Sequence, residues 1–344
     1  MHYKLALAGF GNVGKALVEL LFAKEQDLRE EGITFSIVAI SSGSHGRCIL
    51  PSGLTYENYT QHVRDAESLN AFTQVYTNST ADWIEKCGAD VLFENTPVDY
   101  HTGQPALDHL AQALQSGMHA ITANKGPLVH GYAKLSALAE KNRRRFLFES
   151  TVMDGAPIFS LFRAALPGAK LNGFTAVLNS TTNLILNLME DGKTFDEAVL
   201  VTQQAGLAET DPSGDIDGWD SAVKIAALSS VLMGIPMLPS QVQREGIRGI
   251  SAQAVAEARA KGMRYKLICT AAASSNGILA KVAPQLVDAN SPFYNIQGST
   301  SIIQFHTDVL PNLTLIEGAP TPMTTAYGLL ADLITAARWD RVFR

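Results

Sequence analysis

The chain has 344 residues, 46% of them hydrophobic and 17% charged, a composition typical of a globular protein long enough for two domains. Its net charge of -6 argues against the basic surface that nucleic-acid binding requires, and no apolar stretch is long enough to span a bilayer. Three widely separated cysteines argue against a disulfide framework or a zinc site, and with no secretory segment before the first strand we expect a cytoplasmic protein.

A glycine-rich string follows the first predicted strand. Residues 3–8 are a short apolar run, and residues 15–24 carry apolar side chains at helical spacing. The string GFGNVG lies between them, and GxGxxG between a strand and a helix is specific for dinucleotide binding. The first glycine permits a tight turn, the second lets the backbone approach a pyrophosphate, and the third allows close helix–strand packing. We therefore expect the following residues to bind the cofactor: Gly9, Phe10, Gly11, Asn12, Val13 and Gly14.

The second predicted strand, residues 35–40, is followed by SSGSHGR, which contains no carboxylate. In NAD-preferring sites an acidic residue near this position holds the ribose 2′-hydroxyl. The hydroxyls and Arg47 suit a 2′-phosphate better, so we expect NADP as the cofactor. A solvent-facing Arg47 is the alternative interpretation, and NAD then remains an alternative cofactor.

Two further strands are predicted to end in candidate cofactor contacts, after a polar segment (51–80) that predicts helix and loops. Residues 90–94 precede Thr96, and residues 119–123 precede Lys125. Ligands of a doubly wound sheet bind beyond the carboxyl ends of its strands, so we expect Thr96 to contact the cofactor. Lys125 would lie near a nicotinamide, with a solvent-facing lysine as the alternative. Other elements predicted in this half are helices at 105–116 and 133–141 and a strand at 146–149.

The second half predicts strands and helices without an internal repeat. The predicted helices are 158–165, one from residue 180, an apolar one containing Lys224, 255–261 and 326–338; the predicted strands are 173–179, 266–273, 278–287 and 304–307. The helix from residue 180 begins with the quartet STTN, whose hydroxyls suit capping. The functional alternative adds donors, Thr182 among them, that face a ligand.

An acidic stretch, residues 209–224, is the most unusual part of the chain. It holds carboxylates, a lysine, a proline and two glycines, so it is not one continuous solvated helix. Asp220 and Lys224 are four residues apart at the start of the apolar helix, which places them on one face. A surface ion pair is one interpretation. A lysine that enters a core beside carboxylates is also a candidate proton donor or substrate anchor.

With these segments in order, the chain resembles homoserine dehydrogenases over nearly its whole length. The strings that carry the resemblance are GFGNVG, TANKGPL at 122–128, ESTVMDGAPI at 149–158, LNSTTNLILNLM at 178–189, GLAETDPSGDIDGWDSAVK at 206–224 and, more weakly, residues 282–308. The resemblance implies NAD(P)H-dependent reduction of L-aspartate 4-semialdehyde to L-homoserine, in threonine, methionine and isoleucine biosynthesis. It also implies a homodimer formed through the substrate domain.

Matched by position, the resemblance implies roles for the charged residues. Lys224 would donate the proton to the carbonyl oxygen, while Asp220, Glu209 and Asp215 would hold the amino group and hydroxyl of the substrate. Lys125 would lie near both nicotinamide and substrate, as a catalytic or binding residue. This agrees with the chemistry, because hydride addition to an aldehyde creates an alkoxide that an ammonium can stabilise and protonate.

The resemblance further implies that Thr96 contacts the cofactor and that a loop binds a sodium ion, mostly through backbone carbonyls. The residues of that loop are Glu149, Val152, Asp154 and Ala156. The sequence departs from the family at the turn 153–155, which bears on the ion site, and at 318–322, which bears on any carry-over of a C-terminal cofactor contact to Gly318. We also expect no C-terminal regulatory domain.

Two alternatives remain at this stage. One is another NAD(P)-dependent oxidoreductase that acts on a related amino acid or semialdehyde. A phosphorylating, aldehyde-oxidising enzyme would need a nucleophilic cysteine, and no cysteine here has such a context. The other is a non-catalytic nucleotide-binding sensor, which predicts the loss of Lys224 or of the acidic stretch, and both are present.

The predicted fold class is α/β. A Rossmann-type doubly wound nucleotide-binding domain is expected over residues 1–135, rejoined by about 310–344, with an α+β substrate-binding and dimerisation domain over 136–309.

Overall fold

A computed structural model describes residues 1–343 and divides the chain into two compact units. One unit comprises Met1–Phe159 together with the chain from Thr321 onward, and the other comprises Ser160–Pro320. None of the helices among the described residues has the length and apolarity to cross a bilayer.

The unit boundaries differ from the expected ones for reasons of strand pairing. Residues 146–147 form a strand that pairs within the first sheet, so the first unit continues beyond residue 135. Residues 313–317 pair within the second sheet, so the return to the first unit comes after residue 310.

Strands and helices alternate in the first half of the chain, and longer strands dominate the second. The strands are β1 (His2–Ala8), β2 (Thr34–Ser42), β3 (Gly46–Leu54), β4 (Val91–Glu94), β5 (His119–Thr122), β6 (Phe146–Leu147), β7 (Leu171–Val177), β8 (Gln243–Arg244), β9 (Arg264–Ser274), β10 (Gly277–Val287), β11 (Ser301–Thr307) and β12 (Leu313–Glu317). The helices are α1 (Asn12–Ala23), α2 (Glu25–Glu30), α3 (Tyr56–Asn58), α4 (Thr80–Lys86), α5 (Ala106–Gln115), α6 (Gly126–His130), α7 (Tyr132–Lys141), α8 (Ile158–Ser160), α9 (Ser180–Glu190), α10 (Phe195–Gln204), α11 (Ser213–Ile216), α12 (Trp219–Leu232), α13 (Ala252–Ala260) and α14 (Pro322–Phe343). Short 3₁₀ or π-helical turns lie at Tyr59–Val63, Leu69–Phe72, Glu149–Thr151, Leu161–Ala165 and Pro239–Gln241.

The strands of the first unit form one sheet in the order β3-β2-β1-β4-β5-β6. All of them except β3 run parallel, and the strand order reverses between β1 and β4. A doubly wound sheet binds a dinucleotide beyond the carboxyl ends of its strands at such a switch point. The predicted Rossmann-type architecture is confirmed.

The prediction of helix and loops over 51–80 is wrong for its first residues, which belong to β3. This strand pairs antiparallel with β2 at the edge of the sheet. Pro51 and two glycines hide the strand in the sequence, but an edge strand tolerates proline because one side of it needs no ladder hydrogen bonds. The segment after β2 is consequently a hairpin turn and not an open loop.

Both faces of the first sheet are covered, which explains the continuous apolar runs in its strands. On one face, Leu5 and Leu7 of β1 pack in a buried cluster with residues of α1 and α14. On the other face, Ala6 and Ala8 pack in a cluster that contains Trp83 of α4. The C-terminal helix is thus an integral part of this unit, as expected, and the Tyr3 hydroxyl donates a hydrogen bond to Asp340 Oδ2 at 2.9 Å.

The second unit contains a six-stranded sheet in the order β12-β11-β7-β9-β10-β8. Its pairings are antiparallel except for β8 with β10. Helices α9, α12 and α13 contact β9, and α12 also contacts β10. The expected α+β architecture of this part is confirmed.

One face of the second sheet is partly open within this unit. Thr175 of β7 pairs with Gln304 and Thr270, and all three side chains are half-buried. On the same face, Leu279 of β10 is 68% exposed and Ile316 of β12 is 62% exposed. Both are large apolar side chains that this unit leaves uncovered.

A lysine side chain lies in the interior of this unit. Lys266 of β9 has no exposed surface, and its Nζ donates to Asn183 Oδ1 at 2.8 Å and to the Ile296 carbonyl. Burial lowers the pKa of Lys266 to about 8. Asn183 therefore belongs to the interior of the unit, where it also donates to the Gly298 carbonyl at 2.9 Å.

Candidate active site

The glycine-rich turn has the geometry that the motif predicts. Gly9 has φ 93°, and a Cβ there would lie 2.4 Å from the carbonyl carbon of Asn95. A Cβ on Gly11 would meet no atom within 4 Å, so the backbone at this position is open to a ligand. A Cβ on Gly14 would lie 2.6 Å from the Gly9 carbonyl oxygen, which explains why the helix can pack this close only with glycine.

A groove of about 940 Å³ runs along the carboxyl ends of the first sheet's strands. Its walls are formed by the segments that follow β1 and β4, by the β2–β3 hairpin and by residues at or near the starts of α4 and α5. Its lining residues include Gly9, Phe10, Gly11, Ser41, Arg47 and Thr96. A smaller neighbouring cavity is lined by Gly11 and Asn12 together with the cations Lys15 and Arg64. Val13 lies on α1 and packs on the apolar core instead.

Arg47 lies on β3 with its side chain in the wall of the groove. Its Nη1 is buried and has no hydrogen-bond partner among the described residues. Ser42, Ser44 and His45 form a hydrogen-bonded cluster on the adjacent hairpin turn, with Ser44 Oγ 2.7 Å from His45 Nδ1. This wall therefore offers hydroxyls, an imidazole and a guanidinium.

Thr96 and Lys125 follow β4 and β5, and a hydrogen-bond network joins their loops. The Asn124 side chain donates to the Thr96 carbonyl at 3.0 Å and accepts from the Gly126 backbone at 2.9 Å. Lys125 is the N-cap residue of α6, which begins directly after it. No helix was predicted at this position, and Pro127 in its first turn is favourable for helix initiation.

Charged side chains of the second unit converge at the start of α12. Lys224 Nζ lies 3.0 Å from Asp220 Oδ2 and donates to the Leu178 carbonyl at 2.6 Å. The side chains of Lys224 and Asp220 are 14% and 8% exposed, so this is not a solvated surface pair. Asp215 joins them through Asn179, whose Nδ2 donates to Asp215 Oδ1 at 2.6 Å and to Asp220 Oδ2 at 3.0 Å.

Asn179 is a site residue that the sequence analysis missed. It caps α9 by accepting from the Thr182 backbone at 2.8 Å, so one side chain both begins the helix and bridges two carboxylates. The only signal was its place before the STTN quartet, where asparagine is a preferred N-cap residue. Thr182 was expected to face a ligand, but its hydroxyl donates to Asn179 and is fully buried.

Glu209 is not drawn into this cluster. Its side chain is exposed, and its backbone carbonyl accepts from Gln203 Nε2 at 3.0 Å. Asp217, in the same acidic stretch, pairs instead with Arg248 at 2.9 Å. The acidic stretch therefore divides into an inward part, Asp215 and Asp220, and an outward part.

The segment 149–156 packs against the start of α14 within the first unit. Glu149 Oε1 accepts from the Phe159 backbone at 2.7 Å, and Asp154 Oδ2 accepts from the Thr324 hydroxyl at 2.9 Å. Asp154 has φ 37°, a left-handed conformation that aspartate tolerates better than most residues. No cluster of three or more His, Cys, Asp or Glu side chains suited to a metal occurs in residues 1–343. Val152 and Ala156 could contribute only backbone carbonyls.

The three cysteines are free and buried. Burial raises the pKa of Cys48 and Cys269 to about 11 and also raises that of Cys87. Thiols in this state are not nucleophiles at neutral pH. Their burial and raised pKa do not suit the nucleophile that a thioester mechanism requires.

Comparison with known proteins agrees with this geometry. The family model for the homoserine dehydrogenase NAD binding domain matches residues 9–149, and the model for homoserine dehydrogenase matches residues 157–334. The chain is 34% identical to an NAD(+)-dependent homoserine dehydrogenase of Pseudomonas canavaninivorans, covering 96% of this chain and 95% of that one. It is 33% identical to a homoserine dehydrogenase of Methanocaldococcus jannaschii, with 96% and 97% covered.

Solved structures give the same result. A hyperthermophilic archaeal homoserine dehydrogenase in complex with NADPH superposes with a TM-score of 0.83 at 27% identity, covering 98% of each chain. This chain is thus similar to homoserine dehydrogenases over almost its whole length. The similarity includes the dinucleotide motif, the groove at the switch point and the region of the buried Lys224 cluster. The chain therefore belongs to the homoserine dehydrogenase family, the NAD(P)-dependent oxidoreductases that interconvert L-aspartate 4-semialdehyde and L-homoserine.

Proposed function

We propose that Lys224 is the proton donor when L-aspartate 4-semialdehyde is reduced. The observation that carries this proposal is the orientation of its ammonium, which is held by the Leu178 carbonyl and by Asp220 at the edge of a buried helix. Two fixed acceptors leave one N–H of the ammonium for a substrate oxygen. Asp220 keeps the ammonium in place and contributes the balancing charge.

The chemistry requires such a group. A bound nicotinamide cofactor would supply a hydride to the aldehyde carbon, and the carbonyl oxygen would take up the π electron pair that is displaced. Lys224 stabilises the resulting alkoxide and transfers a proton to it, giving the hydroxyl of homoserine. In the reverse direction the neutral lysine accepts that proton.

Recognition of the amino acid is assigned to the carboxylates beside Lys224. Asp215 and Asp220 are oriented by the same amide, Asn179, and would accept hydrogen bonds from the substrate ammonium or hydroxyl. Glu209 would join them only by moving from its exposed position. Thr182 would not contact the substrate but would orient the Asn179 side chain through its hydrogen bonds. Lys125, after β5, is proposed near the nicotinamide and substrate.

Replacing Asp215 with asparagine is expected to raise KM for L-homoserine by about tenfold to a hundredfold, since a charge-assisted hydrogen bond contributes about 1.5–3 kcal/mol. We expect kcat to change much less, because Lys224 and Asp220 remain in place. Steady-state kinetics measure both constants. The matched control is Asp217→Asn in the same stretch, whose partner is Arg248; equal KM changes in both variants would contradict the assignment.

The cofactor-binding residues are proposed to be the glycine-rich turn, Gly9–Gly14, with Thr96 and Arg47. We also propose a preference for NADP over NAD. The support is the wall of the groove formed by the β2–β3 hairpin, where hydroxyls and the buried Arg47 Nη1 offer donors and residues 41–47 include no carboxylate. Lys15 and Arg64 of the neighbouring cavity both pair with Asp65, and the three side chains together leave a net positive charge on this side.

Replacing Arg47 with alanine is expected to lower kcat/KM for NADP by about tenfold, the loss of one hydrogen bond to a charged group. We expect kcat/KM for NAD to stay within about twofold of the native value, because NAD has no 2′-phosphate. Parallel kinetics with both cofactors test this. Arg29→Ala, which removes an exposed partner of Glu25, is the control. An equal loss with NADP and NAD would show that Arg47 does not read the 2′-phosphate.

A homodimer is part of the proposal, with the partly open face of the second sheet as its interface. The exposed Leu279 and Ile316 support it. We expect Ile316→Asp to shift the native protein toward monomers in sedimentation velocity, whereas Leu200→Asp on α10 should not. A native protein that sediments as a monomer would refute the proposal.

We further propose a sodium ion at residues 149–156. The side chains of Glu149 and Asp154 already accept hydrogen bonds, so an ion would rely on the carbonyls of Val152 and Ala156. Thermal stability should then be higher in sodium chloride than in N-methylglucamine chloride of equal ionic strength. Equal thermal stability in the two salts would contradict the proposed sodium site. A cytoplasmic location also stays part of the proposal, supported by the three free cysteines.

A further inference from the structure

Glu94 is a buried carboxylate for which the mechanism above has no use. It is the last residue of β4, next to the switch point of the sheet, and has no exposed surface. Its Oε1 accepts from the Thr96 backbone at 3.2 Å and from the Thr96 hydroxyl. The Thr122 hydroxyl lies 3.2 Å from its Oε2. Thr96 donates through both its backbone and its hydroxyl, and the Thr122 hydroxyl shares its proton between this carboxylate and the Glu94 carbonyl.

The negative charge of this carboxylate is weakly balanced within the described residues. His109 of α5 has Nδ1 3.6 Å from Glu94 Oε1, beyond hydrogen-bonding distance. That Nδ1 is buried without a hydrogen-bond partner in residues 1–343, and the ring lines the groove. A buried carboxylate is costly unless a positive charge lies nearby, so a cation in the groove would be favoured.

Glu94 also connects the two loops that follow β4 and β5. Thr122 donates to the Glu94 carbonyl at 2.9 Å and accepts from the Asn124 backbone at 2.9 Å. The Asn124 side-chain amide in turn donates hydrogen bonds to the carbonyls of Thr96 and Pro97. The adenosine half of a dinucleotide lies over the β2 side of a Rossmann sheet, so the nicotinamide half belongs beyond β4 and β5, above this network.

We propose that Glu94 is a positioning residue that favours the oxidised over the reduced nicotinamide cofactor. The oxidised nicotinamide ring carries a positive charge and the reduced ring is neutral, so a fixed carboxylate beneath the site stabilises only the former. During reduction of the aldehyde the ring becomes positive as the hydride leaves with its electron pair, and the same carboxylate stabilises that charge. This inference rests on the proposed function only in requiring that the groove binds a nicotinamide cofactor.

The test is equilibrium binding of NADP⁺ and NADPH, without substrate, to the native protein and to Glu94→Gln. Glutamine keeps the size of the side chain and the acceptor for Thr96 but removes the charge. We expect Kd for NADP⁺ to rise by about three- to tenfold and Kd for NADPH to change by less than about twofold. The ratio of the two constants is a readout that loss of packing alone would not move.

Thr122→Val is the matched control, because it removes the hydroxyl that ties the loops and leaves the charge in place. It should weaken NADP⁺ and NADPH binding by the same factor. If Glu94→Gln also weakens both equally, or changes neither, the electrostatic role is overturned. Should that variant fail to fold, Glu94→Asp keeps the charge: an unchanged ratio supports the proposal, and a ratio shifted against NADP⁺ overturns it. A protein that binds both cofactors but does not oxidise homoserine would refute the proposed function while leaving this test intact.

Discussion

Replacing Lys224 with methionine is expected to lower kcat for L-homoserine oxidation by about a thousandfold, within the range known for loss of a general acid–base group. Methionine retains the unbranched apolar stem and removes the ammonium that stabilises and protonates the alkoxide. The affinity for the cofactor should be unchanged, because the glycine-rich turn is untouched. Steady-state kinetics and a separate cofactor titration measure the two effects.

The matched control for this substitution is Lys261→Met at the exposed end of α13, which should leave kcat as it is. Lys224→Arg is informative as well, since it keeps a positive charge but releases a proton far less readily. If Lys224→Met retains more than about a tenth of native kcat, Lys224 is not the proton donor.

Replacing Gly9 with alanine is expected to impair both folding stability and cofactor binding. The residue has φ 93°, a conformation that costs an L-residue about 1–2 kcal/mol, and the added Cβ would lie 2.4 Å from the backbone of Asn95. Asn95 and Thr96 line the groove, so a backbone shift that relieves the clash would move residues that line the proposed cofactor site. We expect a lower melting temperature and a cofactor Kd raised at least about tenfold.

Gly11→Ala separates these two effects. Its φ of -87° suits any residue, and nothing lies within 4 Å of the added Cβ. The free energy of unfolding should change by less than about 0.5 kcal/mol, whereas cofactor Kd should rise because the methyl group meets the pyrophosphate. Native cofactor affinity in Gly11→Ala would contradict the placement of the pyrophosphate at this turn.

Local chemistry made the first sheet and the Lys224 pair predictable. The motif GFGNVG combines a strand end, a turn and a helix start in six residues, so its geometry is largely local. The spacing of Asp220 and Lys224 fixes their common face on any helix, and the pair does lie 3.0 Å apart. What spacing could not reveal is their burial, which depends on the sheet beneath α12.

Features that depend on contacts between distant parts of the chain could not be predicted from the sequence. Asn179 meets Asp215 and Asp220 across 36 and 41 residues of chain, and only the packed unit brings them together. Edge strand β3 lacks the apolar alternation of a central strand because one side of it needs no partner. Glu94 reads as the last residue of an ordinary apolar strand, and its burial is visible only once Thr96 and Thr122 close over it.

The central claim is that this chain uses a nicotinamide cofactor to oxidise the hydroxyl of homoserine at the Lys224 site. The most direct test is the initial rate of NADPH or NADH formation by the native protein with L-homoserine, compared with L-2-aminobutyrate, which lacks the hydroxyl. We predict cofactor reduction that saturates with L-homoserine and is absent with L-2-aminobutyrate. No reduction of either cofactor by a folded protein that binds them would contradict the account.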